Sequence, residues 1–119
     1  MPSNQHLQTL RRRAFEQQGG RCYYCGVCMW QSLPFKTPLL HLSPGALAKL
    51  QCTAEHMQAR SAGGANTAGN ITAACAHCNH TRHQRKNPPD PDVYRKQVRR
   101  RMQKGAWHNE WVHAHGLAR

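Results

Sequence analysis

The chain has 119 residues, which is enough for one small domain with short arms. It carries 17 Lys and Arg against 5 Asp and Glu, a formal net charge of +12, and only 39% of its residues are hydrophobic. No stretch approaches the ~18 apolar residues of a membrane span. Residues 1–20 have no apolar core of a secretory signal and hold three consecutive arginines. The charge favours a nucleic-acid partner over a basic surface that is merely solvated.

The N-terminal arm, residues 1–20, is predicted to be helical. Leu7, Leu10 and Ala14 recur at helical spacing, and a Gly-Gly pair ends the pattern. The run RCYYCG at residues 21–26 follows it. Two cysteines that flank two residues and precede a glycine are typical of a tight knuckle turn, which begins the predicted core of the domain.

The core is predicted to span residues 21–86. Residues 27–49 contain three prolines and show no clean periodicity, so they are interpreted as an insertion with a short helix near its end. Residues 51–56 and 70–74 are predicted strands joined by a glycine-rich loop, and residues 75–85 are a predicted helix. These elements indicate a small α+β domain.

Residues 87–119 are predicted to form a basic C-terminal helix and a tail. Asp90 is followed by proline and a second acid, which is a strong helix start. Arginines and lysines cover most of the helix that follows. Trp107 and Trp111 are predicted to pack the tail onto the core.

The chain has six cysteines, and four of them stand in two Cys-x-x-Cys pairs. These are Cys22 with Cys25, and Cys75 with Cys78. The spacing predicts a four-thiolate structural zinc site, which supports a chain with a weak core because metal binding becomes folding free energy. The alternatives are two local disulfides or free core thiols. Cys28 continues the spacing and is a competing ligand, whereas Cys52 is predicted to be a buried small apolar residue.

A second group of polar residues suggests a catalytic metal site. Glu55 and His56 end the first strand, where neighbouring side chains point to opposite sides. Asn79 and His83 stand four residues apart, so they share one face of the predicted helix. The oxygens of Glu55 and Asn79 with the imidazole of His83 suit Mg²⁺ or Mn²⁺ first, with Ni²⁺ or Zn²⁺ as further candidates.

The run CTAEHMQARSAGGANTAGNITAACAHCNHTRHQRK resembles the HNH endonuclease motif, and RCYYCG resembles the upstream knuckle of the four-cysteine zinc subgroup. The resemblance implies a ββα-metal (His-Me finger) core flanked by N- and C-terminal helices. It implies a phosphodiester hydrolase, an endonuclease or nickase, of bacterial or phage origin. The acid is Glu where the family more often has Asp, which makes this side chain one methylene longer.

The resemblance also implies a role for each matching residue. His56 is the expected general base, and Asn70 is expected to orient the His56 ring and its loop. Glu55, Asn79 and His83 are the expected ligands of the catalytic ion. The four paired cysteines are the expected ligands of structural zinc.

DNA, most of all double-stranded DNA, is the expected partner, and no membrane role is expected. The predicted DNA contacts are basic residues. The resemblance implies Arg82, Arg85 and Lys86, because in related nucleases the ββα helix lies along a DNA groove, and the charge of the next helix adds Arg95, Arg99 and Arg100. Thiol ligands and the absence of a signal predict a reducing compartment, the cytoplasm. Two alternatives remain: a zinc-stabilised DNA-binding module without catalysis, and a nuclease or toxin domain directed at RNA.

Overall fold

The computed structural model describes residues 2–32 and 42–115. Within them lie the helices α1 (Pro2–Gln17), α2 (Pro44–Lys49), α3 (Ala76–His83), α4 (Pro91–Gln103) and α5 (Glu110–Ala114), and the strands β1 (Cys52–His56) and β2 (Ile71–Cys75). Residues 33–41 of the predicted 27–49 insertion lie outside the described residues. None of the described helices has the length and apolar character that a membrane crossing needs.

The centre of the fold is an antiparallel hairpin of β1 and β2. Cys52 pairs with Cys75 at one end, and His56 pairs with Ile71 at the other. The helix α3 starts directly after β2 and packs on both strands, while α1 also packs on both. Because a two-stranded sheet is only marginally stable alone, these helices provide the packing that it needs. The predicted α+β class with a ββα core is confirmed.

The loop between the strands is shaped by Gly64 and Asn70. A Cβ atom on Gly64 would lie 1.8 Å from the carbonyl oxygen of Gln58, so only glycine fits there. The Asn70 side chain accepts from the Gln58 N–H and donates to the carbonyls of Gln58 and Ala65. These contacts bring the two ends of the loop together and hold it beside the last residue of β1.

The C-terminal helix begins as the sequence predicts. Asp90 caps α4 by accepting a hydrogen bond from the Asp92 N–H at 3.0 Å. Tyr94 and Val98 are the buried residues of this helix, and their spacing places them on one face. Trp107 and Trp111 are half-buried against the core, so the predicted docking of the tail is confirmed.

Gln18, just after α1, ties that helix to β2. Its amide nitrogen donates to the Ala73 carbonyl at 2.9 Å, and its amide oxygen accepts from the Ala73 N–H at 3.0 Å. The side chain therefore binds both backbone groups of Ala73, whose carbonyl also accepts from the Tyr23 N–H at 3.0 Å.

We expect Gln18→Ala to lower the free energy of unfolding by about 1–3 kcal/mol, because it leaves the buried Ala73 N–H without its side-chain acceptor and removes one of the two donors to the Ala73 carbonyl. Gln17→Ala is the matched control, since Gln17 is an exposed residue one position earlier. Urea denaturation of both variants with zinc present measures the difference. Equal stabilities of the two variants would contradict this role.

Candidate metal centre and active site

The structure brings together the four cysteines of the two pairs. Cys22, Cys25, Cys75 and Cys78 are all buried, and their Sγ atoms lie within 4.8 Å of one another. The Sγ atoms of Cys25 and Cys75 are 3.9 Å apart. Four sulfurs at the usual zinc distance form a tetrahedron with edges of about 3.8 Å, so the donor set fits structural zinc. Cys28 lies outside this cluster, and Cys52 is buried as predicted.

The local backbone explains how the knuckle presents its sulfurs. Gly26 turns the chain at φ 79°, and its N–H donates to the Cys22 carbonyl. The N–H groups of Tyr24 and Cys75 donate to the Cys22 Sγ at 3.4 and 3.3 Å. Backbone donors aimed at sulfur stabilise the thiolate form, which is the form that binds metal.

The thiols affect one another's ionisation. Burial opposes ionisation of Cys22, but hydrogen bonds from the other three thiols leave its pKa well below the usual value. Hydrogen bonds with Cys22 and Cys25 raise the pKa of Cys75, and burial raises that of Cys78. A divalent cation at the centre favours the thiolate form of all four.

Two tail residues close the cluster, and the sequence reasoning missed this role. The Trp107 Nε1–H donates to the Cys78 Sγ at 3.3 Å, and the His108 Nε2 lies 3.3 Å from the Cys25 Sγ. Burial, followed by the nearby His77, lowers the pKa of His108 to about 4. The ring is therefore neutral at pH 7 and can donate through Nε2. Nothing in the spacing of these residues signals the contact, because it depends on how the tail folds back.

Glu55 is the central acid of the second site and is only 1% exposed. Its Oε2 accepts from the Tyr24 hydroxyl at 3.0 Å and from Nη1 of Arg82 at 3.2 Å. Its Oε1 lies 2.9 Å from the Nε2 of His83. Burial and the Glu55 carboxylate raise the pKa of Tyr24, so its hydroxyl stays protonated and donates.

The spacing between Glu55 and His83 fits two ligands of one ion. Neighbouring ligands of an octahedral ion at about 2.1 Å lie about 3.0 Å apart, close to the distance between Oε1 and Nε2. The Asn79 Nδ2 donates to Thr53 Oγ1 and the Ala54 carbonyl, at 3.0 and 3.3 Å. Its amide oxygen is left as the remaining donor atom for an ion.

His56 lines the same cleft from the end of β1. The cleft has a volume of about 380 Å³, and its lining also includes Glu55, Asn79 and His83. The structure thus gathers all four of these predicted site residues around one space. The His56 Nε2 is 2.8 Å from the Asn66 Oδ1. With the amide oxygen accepting, Nε2 holds the proton and Nδ1 holds the lone pair.

Asn70 does not contact the His56 ring as the resemblance implied. It binds backbone groups of the loop, and Asn66 is the residue that holds the ring. The sequence places both asparagines in one polar, glycine-rich run, where spacing cannot tell which of them reaches His56. The part of the expectation that concerns the loop agrees with the contacts, and the part that concerns the ring is wrong.

Arg82 is a correction to the predicted DNA contacts. It is 3% exposed, and besides Glu55 its guanidinium donates to the carbonyls of His56, Met57 and Pro89. With its donors used inside the protein, it is not available to a phosphate. Arg85 and Lys86 are exposed and line the cleft.

The three arginines predicted on α4 line a separate cleft of about 510 Å³. They are Arg95, Arg99 and Arg100. Arg95 also lies over the Tyr23 ring, at 4.6 Å from its centroid, and Arg99 donates to the Tyr24 carbonyl. Two of the three therefore also hold α4 against the knuckle.

We expect Cys75→Ser to lose tightly bound zinc and to melt well below the parent, because binding at a four-thiolate site contributes directly to folding. Cys28→Ser is the control, since Cys28 is half-buried and outside the cluster, and it should keep both zinc and stability. Metal content and thermal melting measure the two effects. A Cys75→Ser protein that melts at the parent's temperature would contradict the structural role of the four-cysteine site.

The comparisons with known proteins agree with this geometry. Residues 42–85 match the family model described as HNH endonuclease. No curated protein and no solved structure matches the chain. The matched segment holds β1, the loop, β2 and α3, and most of the cleft lining comes from β1, the loop and α3. The resemblance is thus confirmed as a match to this family model over residues 42–85.

Proposed function

We propose that this protein is a metal-dependent DNA endonuclease or nickase. Nuclease activity in general follows from the family match at residues 42–85. The observation that carries the finer proposal is the cleft, where the Glu55 Oε1 and the His83 Nε2 lie 2.9 Å apart beside His56. A binding module without catalysis has no need for a buried carboxylate and two histidines, His56 and His83, around one cleft.

His56 is the proposed general base. Its Nε2–H is held by Asn66, so Nδ1 is free to take a proton from the attacking water. Asn66 also keeps the ring in one orientation, which a proton transfer over hydrogen-bond distance requires. The Asn70 contacts with the loop backbone keep Asn66 in place. Hydrolysis by this route leaves a 5′-phosphate and a 3′-hydroxyl.

Glu55 and His83 are the proposed ligands of a divalent ion, with the amide oxygen of Asn79 as a third. When bound, the ion supplies positive charge for a phosphate oxygen and for the leaving 3′ oxygen. Glu55 provides the negative charge that attracts the cation. Mg²⁺ and Mn²⁺ are the first candidates, followed by Ni²⁺ and Zn²⁺, because the set mixes oxygen donors with one imidazole.

Basic residues around the cleft are proposed to hold the DNA backbone. Arg85 and Lys86 border the same space as His56, and Arg60 also lines it. A phosphate that enters the cleft therefore meets positive charge before it reaches the site. Such contacts position the duplex but read little sequence. Arg95, Arg99 and Arg100 extend the basic surface along α4.

We expect His56→Ala to reduce DNA cutting about 10²- to 10⁴-fold, the usual contribution of a general base. Zinc content, melting temperature and DNA affinity should stay at the parent's level. The assay uses supercoiled plasmid with Mg²⁺, Mn²⁺, Ni²⁺ or Zn²⁺, each with and without EDTA. Nicked and linear products separate single-strand from double-strand cutting.

His80→Ala is the matched control, because His80 is an exposed histidine of α3 that does not line the cleft. It should cut as the parent does. Unchanged cutting by His56→Ala would refute the assignment of the base. A parent that binds plasmid without cutting under every metal would favour the non-catalytic module, and cutting of RNA alone would favour the RNA-directed nuclease.

We expect Arg85→Ala to weaken DNA binding and to reduce the slope of log affinity against log salt by about 1, because one phosphate contact is lost. Arg82→Ala should instead lower the free energy of unfolding by about 3–5 kcal/mol, because it leaves the buried Glu55 without its cation. Salt-dependent binding and urea denaturation separate the two. A large stability loss in Arg85→Ala would contradict this division of roles.

A further inference from the structure

One residue of the knuckle reaches the proposed catalytic site. Tyr24 stands between Cys22 and Cys25 and is 0% exposed. Its backbone N–H donates to the Cys22 Sγ, and its hydroxyl donates to the Glu55 Oε2. The same residue is thus fixed at one end by a sulfur of the four-cysteine cluster and at the other end by the acid of the cleft.

The two oxygens of Glu55 have different surroundings. Oε2 receives two donors, the Tyr24 hydroxyl and the Arg82 guanidinium, which use its two lone pairs. Oε1 faces His83 at 2.9 Å, on the side of the cleft. Oε2 is therefore held by Tyr24 and Arg82, whereas Oε1 faces the cleft and is hydrogen-bonded there to His83, the proposed second ligand of the ion.

This restraint matters because the acid is a glutamate. Compared with aspartate, its extra methylene adds a rotatable bond, and ordering a long side chain costs up to about 2 kcal/mol of conformational entropy. The two hydrogen bonds to Oε2 order the carboxylate without an ion, so ion binding loses less conformational entropy at this side chain. Arg82 supplies the charge that makes burial of the acid tolerable, and Tyr24 adds a neutral, directional contact from a different element.

We propose that Tyr24 is a positioning residue of the catalytic site, whose hydroxyl holds Glu55 as a one-oxygen ligand and links the four-cysteine site to the cleft. This inference rests on the proposed function. It assigns the four-cysteine site a task beyond stability, because the knuckle geometry determines where the Tyr24 hydroxyl lies. Disturbing the knuckle then withdraws a contact from Glu55 even where the hairpin remains folded.

The test compares Tyr24→Phe with Tyr94→Phe. Tyr94 is a matched control because it is also buried, packs edge-to-face on Tyr24 with ring centroids 4.8 Å apart, and uses its hydroxyl on the Cys78 carbonyl. Each substitution keeps the ring and removes one buried hydroxyl. Zinc content and melting temperature establish that both variants are folded.

Mn²⁺ binding to the zinc-loaded protein is measured by the paramagnetic resonance signal of free Mn²⁺. We expect Tyr24→Phe to weaken Mn²⁺ binding about three- to tenfold, the effect of one hydrogen bond to the ligand. Tyr94→Phe should bind as the parent does. In plasmid cutting, Tyr24→Phe should need more Mn²⁺ for half the maximal rate by the same factor, and the rate at saturating Mn²⁺ should be retained.

Each outcome decides the inference. Equal Mn²⁺ affinity in Tyr24→Phe and the parent overturns it and leaves the proposed function standing. An equal loss in both variants also overturns it, because general loosening then explains the effect. A parent with no Mn²⁺ site beyond the four cysteines overturns the inference, and it overturns the proposed function as well when plasmid is not cut with any of the four metals. Weaker Mn²⁺ binding in Tyr24→Phe alone, with a parent that never cuts nucleic acid, supports the inference and overturns the proposed function.

Discussion

The fold depends on the closure of four thiols around one point. The hairpin of β1 and β2 is too small to be stable alone, and the chain has little apolar surface to bury. Cys25 and Cys75, with sulfurs 3.9 Å apart, join segments separated by 50 positions in sequence. A metal bound at this point would stabilise the knuckle, the end of β2 and the start of α3 together. The tail closes over the same cluster through Trp107 and His108.

The helix α3 connects this cluster to the cleft through two pairs of residues. Cys78 and Arg82 are its buried residues, and Asn79 and His83 line the cleft. Each pair is spaced by four positions and so shares one face, and one step along the helix rotates the side chain by about 100°. This rotation separates the residues that support the domain from those proposed to act on an ion. It also explains why Arg82 is internal although its neighbour His83 faces the cleft.

A buried carboxylate is the second constraint. Glu55 is 1% exposed, and the loss of water around its carboxylate must be offset by partners within the protein. Arg82 of α3 provides a cation, and Tyr24 of the knuckle provides a hydroxyl donor. The proposed catalytic site is therefore built from three parts of the chain that the four-cysteine cluster holds in place. The loop adds a fourth part, since Asn70 binds its backbone and Asn66 binds the ring of His56.

The sequence by itself determined the parts of this protein that follow local rules. Knuckle spacing identified the four clustered cysteines, helical spacing placed Asn79 with His83, and Asp90 marked the start of α4. Each of these features depends on residues that are close in the chain, where backbone geometry limits the possibilities.

Only the tertiary structure decided which polar groups meet across long separations. In the tertiary structure Arg82 is buried against Glu55, and the Tyr24 hydroxyl binds the same carboxylate. The His56 ring is bound by Asn66 rather than by Asn70. Charge, together with the place of this helix in related nucleases, predicted a DNA contact at Arg82. Neither signal distinguishes an exposed arginine from a buried one. The difference lies in packing, where the free energy of a buried carboxylate depends on partners that no local pattern reveals.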